Sequence, residues 1–177
     1  VFGRRAGIAA ADHAARAPAP APDAEEIDGA AREMLEGFER SEGESPYALH
    51  RDLETTMQDH VGIFRNAEDL ARGVEKIADL SKRSERIRVE GSRLFNPGWH
   101  LARDLKAMLT VSEAVARSAL ARAESRGAHS RIDYPKTDTE WGRRNIVVRR
   151  GKDGMELATV PAPQPPPDLA ELLAETT

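Results

Sequence analysis

Three stretches between residues 45 and 126 repeat apolar side chains at helical spacing, and each opens on a start signal. A chain patterned this way can satisfy three helical faces at once only by packing them against one another. The first stretch starts at Ser45-Pro46, a capping serine followed by proline at the first helical position, where its missing N–H costs nothing. Its stripe runs Leu49, Leu53, Met57, His60 or Val61, and Phe64. The second opens on Asn66 with Asp69 three residues later, an approximate capping box, and repeats Leu70, Val74, Ile77 and Leu80. It fades into Lys82, Arg83, Arg86 and Arg88, cations that suit a helix C-terminus. The third opens at Asn96-Pro97, carries Leu101, Leu105, Met108, Ser112, Val115 and Ala119, and is expected to stop near Gly127 in a left-handed cap. The expected fold class is mainly α: a three-helix antiparallel bundle over residues 45–131, with a preceding helical segment, a C-terminal β-hairpin and a Pro-rich tail.

The flanks read differently. Residues 1–17 form a short helix with a small-residue stripe at Phe2, Ala6, Ala9, Ala10 and Ala14, and no capping residue before it. Residues 18–44 are an Ala-Pro spacer in extended geometry followed by an acidic helix bearing Ile27, Ala30, Ala31, Met34, Leu35 and Phe38 on one face. In residues 132–177, two strands at 145–150 and 155–160 meet through Gly151-Lys152-Asp153-Gly154. Residues 137–143 read as irregular chain, and a short helix is expected at Asp168 to Glu175, beyond the prolines.

Composition narrows the function classes. Aromatic residues are 5% of the 177 and charged residues 32%, which disfavours an all-β fold. Zero cysteines exclude disulfides, thiolate metal ligands and a thiol nucleophile within these residues. No apolar run approaches the roughly 18 residues of a membrane span, and Asp12 and His13 cut short the apolar run that could imitate a signal peptide. The five histidines show no metal-binding spacing. The net charge of −4 argues against nucleic acid despite the basic hairpin residues Arg143, Arg144, Arg149, Arg150 and Lys152. Neither GxGxxG nor GxxxxGK[ST] occurs. The densest polar cluster is Glu124-Ser125-Arg126-Gly127-Ala128-His129-Ser130-Arg131. His129 there could act as a general base, with the arginines binding an anion. The simpler reading makes the arginines partners of neighbouring carboxylates or helix carbonyls, and both His129 and His60 hydrogen-bonded structural residues.

That cluster, together with Val1-Phe2-Gly3-Arg4-Arg5-Ala6-Gly7, the run Met57 to Arg65, Asn96-Pro97-Gly98-Trp99 and Asp133-Tyr134-Pro135, resembles the C-terminal part of succinate dehydrogenase and fumarate reductase flavoprotein subunits. The resemblance is good over residues 1–135 and loose beyond, and its wording is actinobacterial-like. It implies a full subunit that binds FAD and moves hydride between flavin and succinate or fumarate. It also implies an iron-sulfur subunit and, through it, a membrane anchor, with the subunit held peripherally at the cytoplasmic face of the membrane. The family's flavin, substrate and catalytic motifs have no match here, so the resemblance assigns these residues no catalytic, cofactor or metal role. Residues 1–17 are then expected to be the terminal helix of an FAD-binding domain lying upstream, and Glu124, Ser125, Arg126, His129 and Arg131 docking residues that help seat the bundle. Two alternatives carry other functions: the C-terminal domain of an L-aspartate oxidase, similar over the same helices, and a non-enzymatic helical interaction module.

Overall fold

A computed structural model of the chain describes residues 1–166 and 169; the helix expected at 168–175 lies outside the described residues. The chain divides into two units, Val1–Glu36 and Gly37–Thr177. In the first, α1 spans Phe2–Arg16 with every residue exposed, as an unpacked small-residue stripe requires. The Ala-Pro spacer follows, and α2 begins at Ala24 and ends at Glu39, so that its last three residues fall in the second unit. Ile27 and Met34 remain exposed on it.

The second unit holds the bundle. Helices α3 (Pro46–Val61), α4 (Ala67–Ser84) and α5 (Pro97–Ala121) each pack on the other two. Their core is Leu49, Leu53 and Val61 from α3, Leu70, Ile77 and Leu80 from α4, and Leu105, Leu109, Ala116 and Ala119 from α5, closed by Ile87 and Val89 after α4. Two of the three start signals act through their side chains. Asn66 Oδ1 accepts from Asp69 N at 2.8 Å, and Asn66 Nδ2 donates to the Asp69 carboxylate at 2.6 Å. Asn96 Oδ1 accepts from Trp99 N at 3.0 Å. Ser45 differs: its side chain makes no capping bond, and its carbonyl accepts the first helical amides while Pro46 is buried at the helix start.

The stripes shift in detail. Phe64 does not continue α3, because the helix ends at Val61; the ring is 77% exposed in β1 (Phe64–Arg65). On α5 the buried line is Leu105, Leu109, Ser112, Ala116 and Ala119, while Met108 and Val115 are exposed. The helix has more apolar residues than one face can hold, and the line that tapers to small side chains allows the closer approach. His60 is not the satisfied core residue expected: its buried Nδ1 has no hydrogen bond, and the Asp69 carboxylate stands 4.0 Å away.

Close packing of α3 on α4 depends on Gly73. A Cβ there would meet Val61 Cγ2 at 2.9 Å and His60 Cβ at 3.1 Å. Gly73→Ala is therefore expected to lower stability by about 1–3 kcal/mol despite its better helix propensity, measurable as a lower midpoint in urea unfolding.

Strand β1 pairs in parallel with β2 (Ser130–Arg131), a contact that the local pattern does not announce because its partners stand 66 residues apart. One helical turn, α6 (Thr139–Gly142), replaces the irregular chain expected there; Asp138 caps it by accepting from Trp141 N at 2.8 Å. The hairpin runs β3 (Arg144–Arg150) to β4 (Met155–Pro161), antiparallel, with Val148 opposite Leu157 and Gly151 N donating to Gly154 O at 2.7 Å.

Candidate functional site

The polar cluster lies beyond α5, which ends at Ala121 rather than near Gly127. The reason is Arg131. Its guanidinium is 1% exposed and its Nη1 donates to the carbonyls of Ala119 (3.0 Å), Leu120 (3.1 Å) and Arg122 (3.1 Å). A helix end leaves such carbonyls without intrahelical partners, and one buried cation collects them. The rest of the fork is paired: Nε donates to Asp133 Oδ1 at 2.8 Å and Nη2 to Asp133 Oδ2 at 2.7 Å. The Tyr134 ring lies 4.9 Å from the guanidinium carbon. Arg131 holds the Asp133 carboxyl down at about 2, against the opposing effect of burial. Asp133 Oδ2 also accepts from Ala67 N, in the first turn of α4, at 2.9 Å.

Glu124 is the anionic counterpart. Fully buried, it accepts from Arg126 Nε at 3.0 Å and Nη2 at 3.1 Å, from Asp138 N at 2.8 Å, and from Arg122 Nη1. The Arg126 hydrogen bonds outweigh burial and, with Asp138 N and Arg122, hold its carboxyl at about 2. Arg122 also donates to the carbonyls of Trp141 (3.3 Å) and Arg144 (3.0 Å), with its guanidinium over the Trp141 ring. Arg126 donates to Asp138 O at 2.9 Å, yet its side chain stays 44% exposed.

Between these ion pairs the chain turns back on itself. Arg126 and His129 exchange backbone hydrogen bonds of 2.8 and 3.0 Å, and Gly127 takes the left-handed φ of 57° that such a turn needs. Ser125 Oγ donates to Tyr134 O at 2.8 Å and accepts from Arg131 N at 2.8 Å. His129 Nδ1 sits 2.9 Å from Arg65 Nη1, and Nε2 sits 3.1 Å from Arg122 O. A guanidinium can only donate and a carbonyl only accept, so the ring is the neutral tautomer with its proton on Nε2. Burial, followed by the charges of Arg65, Arg131 and Arg122, outweighs the carbonyl bond and pushes its pKa down. With both nitrogens engaged, His129 fits the structural reading rather than that of a base.

The structure therefore brings all five sequence-singled residues, Glu124, Ser125, Arg126, His129 and Arg131, into one knot of polar contacts. The knot ties α5 to β1, α4 and α6. Sequence reasoning did not single out Arg65, Arg122 or Asp138. The pairing of Arg131 with Asp133 had a signal, since residues two apart in extended chain share a side. Among the described residues no group of acidic and histidine side chains could hold a metal ion, and no helix is long and apolar enough to cross a membrane.

Fold and site together define a helical bundle followed by a hairpin, whose charged groups join segments of chain to one another. The profile described as fumarate reductase flavoprotein C-term matches residues 50–166, and the chain belongs to that family, the C-terminal region of fumarate reductase and succinate dehydrogenase flavoprotein subunits. The fumarate reductase flavoprotein subunit of Mycobacterium tuberculosis is 36% identical over 162 residues, 87% of this chain and 28% of that protein. The succinate dehydrogenase flavoprotein subunit of Coxiella burnetii is 33% identical over 129 residues, 72% of this chain and 22% of that protein. Among solved structures, the Mycobacterium smegmatis Sdh1 complex in the apo form superposes with a TM-score of 0.83 at 42% identity, covering 94% of this chain and 29% of that one. The chain thus spans less than a third of the length of the relatives it matches.

Proposed function

We propose that this chain is the C-terminal support of a subunit that oxidises succinate to fumarate by hydride transfer to FAD. The observation that carries the reading is that the family match at 50–166 falls on the bundle, the knot and the hairpin together. On this reading residues 1–17 close the FAD-binding domain, residues 18–44 are a spacer and acidic helix, residues 45–131 are the flavoprotein's C-terminal domain, and residues 132–177 are its hairpin and tail. The flavin and the substrate are held by the rest of the subunit. Among the described residues the parallel β1–β2 pairing is two residues per strand, and no glycine-rich turn leads from it into a helix, so these residues do not fit a dinucleotide's pyrophosphate. The bundle supports the FAD domain and its contact with an iron-sulfur subunit, which a membrane anchor holds at the cytoplasmic face.

Within the knot, docking divides between two kinds of residue. Glu124 and Arg131 are buried, and they act by fixing the backbone of the turn. Arg126 offers an exposed guanidinium edge, with Ser125 and His129 holding the turn beneath it. In the full subunit, Arg126→Ala is expected to weaken co-purification with the iron-sulfur subunit while leaving helical circular dichroism unchanged. Lost helicity would make Arg126 a local structural residue instead. The same preparation tests the activity: succinate-dependent reduction of an artificial electron acceptor is expected, and turnover of L-aspartate in its place would overturn the assignment.

A further inference from the structure

The knot is not electrically closed. Arg65, Arg122, Arg126 and Arg131 bring four positive charges to it, against three negative ones from Glu124, Asp133 and Asp138, the last acting on Arg126. His129 adds none, being neutral. Arg131 has Asp133 to itself, and Glu124 is divided between Arg122 and Arg126. Arg65 has only neutral acceptors: its Nε donates to the carbonyls of Val61 (3.2 Å) and Gly62 (2.7 Å), and its Nη1 to His129 Nδ1. Burial pushes its pKa down, whereas Arg126 and Arg83, each paired with a carboxylate, are pushed up. A half-buried guanidinium without an anion is an unfavourable arrangement for a chain that carries 30 acidic residues.

Arg65 opens onto a cleft of about 260 Å³ between α5, β1 and β3, lined also by Val115, Ser118, Arg122, His129 and Ile146. Its wall from α5 and β3 is apolar at Val115 and Ile146, and its other side is cationic. The volume lies below the roughly 300–1,000 Å³ of small-molecule pockets, and the cleft is open to solvent. The cleft has room for the carboxylate head and methylenes of a side chain entering from solvent. We propose that this cleft receives the carboxylate of a glutamate or aspartate presented by another polypeptide, with Arg65 as its principal partner and Val115 and Ile146 against its methylene stem. The charge-assisted bond completes Arg65 and leaves the internal pairs of Glu124 and Asp133 undisturbed.

The test uses the full chain, with nitrogen-15 resonances of the Arg65 side chain and the His129 ring followed by NMR. The probes are the capped peptide Ala-Glu-Ala, its Ala-Gln-Ala counterpart, and free acetate and inorganic phosphate, all at constant ionic strength. The glutamate peptide is expected to shift both sets of resonances saturably, and the glutamine peptide is not. Arg65→Gln is expected to weaken the response at least tenfold. Arg65 also holds the end of α3, so a second variant guards the result: Ser118→Glu places a carboxylate inside the cleft from α5 and is expected to abolish the peptide response in a folded chain. No saturable response to any probe would overturn the site. A response to acetate or phosphate as strong as that to the glutamate peptide would overturn the polypeptide source and leave a small-anion site. Undiminished peptide binding in the Ser118→Glu chain would place the carboxylate elsewhere.

Discussion

Arg131→Met is expected to remove roughly 3–5 kcal/mol of stability, the range for breaking a buried ion pair from one side. The side chain is 1% exposed and serves two helix ends at once. Without it the carbonyls of Ala119, Leu120 and Arg122 lose a shared donor, and Asp133 loses both arms of its partner. Methionine fills much of the volume, which separates the polar loss from simple cavity formation. Arg131→Lys is expected to recover little, because one ammonium cannot span three carbonyls and a bidentate carboxylate in the same geometry. Domains of ordinary stability have only about 5–15 kcal/mol in total, so the loss is large. Urea unfolding followed by circular dichroism measures it. Arg143→Ala, at a side chain 71% exposed, is the control and is expected to change stability by less than about 0.5 kcal/mol. A shift of that small size in Arg131→Met would show that water can replace the buried fork.

Glu124→Gln is the second large effect, again about 3–5 kcal/mol, because the change strands Arg122 and Arg126 around a neutral amide that must also turn a donor toward them. The same carboxylate makes the fold acid-sensitive. A group whose pKa is lower in the folded than in the unfolded chain stabilises the fold above its unfolded pKa, and that contribution is lost as pH falls toward the folded value. For Glu124 the window runs from its ordinary value near 4.5 down to about 2, and for Asp133 from 3.8 down to about 2. Glu44, lowered first by its hydrogen bonds to Arg83, loses its contribution in the same direction. His129 obeys the same sign earlier: held neutral by burial, it costs stability as pH falls below its ordinary 6.5. Stability measured by urea midpoint is therefore expected to decline gently below pH 6.5 and steeply below about 4.5. In Glu124→Gln the steep part should shrink, and an unchanged acid profile would assign the sensitivity to other carboxylates.

The bundle was legible because its signals are local. Asn66 and Asn96 act on amides three residues ahead, and Leu70 and Ile77 repeat at the spacing of one helix face. The hairpin was legible for the same reason, in two short β-branched runs around a glycine-bounded turn. What the sequence could not announce was decided at long range. The end of α5 depends on a cation ten residues beyond it, and β1 is a strand only because Ser130 and Arg131 come back to meet it. Ser45 carries the capping chemistry but Pro46 makes the start without it. In the candidate site, the cluster from Glu124 to Arg131 stands out by its density. Its remaining members do not, since Arg65 is one arginine among many until the fold sets it against His129.

Asp133 gives the knot a reach beyond its own turn. One oxygen of the carboxylate answers Arg131 and also accepts the amide of Ala67, so the tail of α5 and the head of α4 share a single anchor. Helix ends ordinarily fray independently, each at low free energy. Here both ends rest on the one Arg131–Asp133 pair, so breaking that pair is expected to loosen two helix ends that lie more than fifty residues apart in the chain.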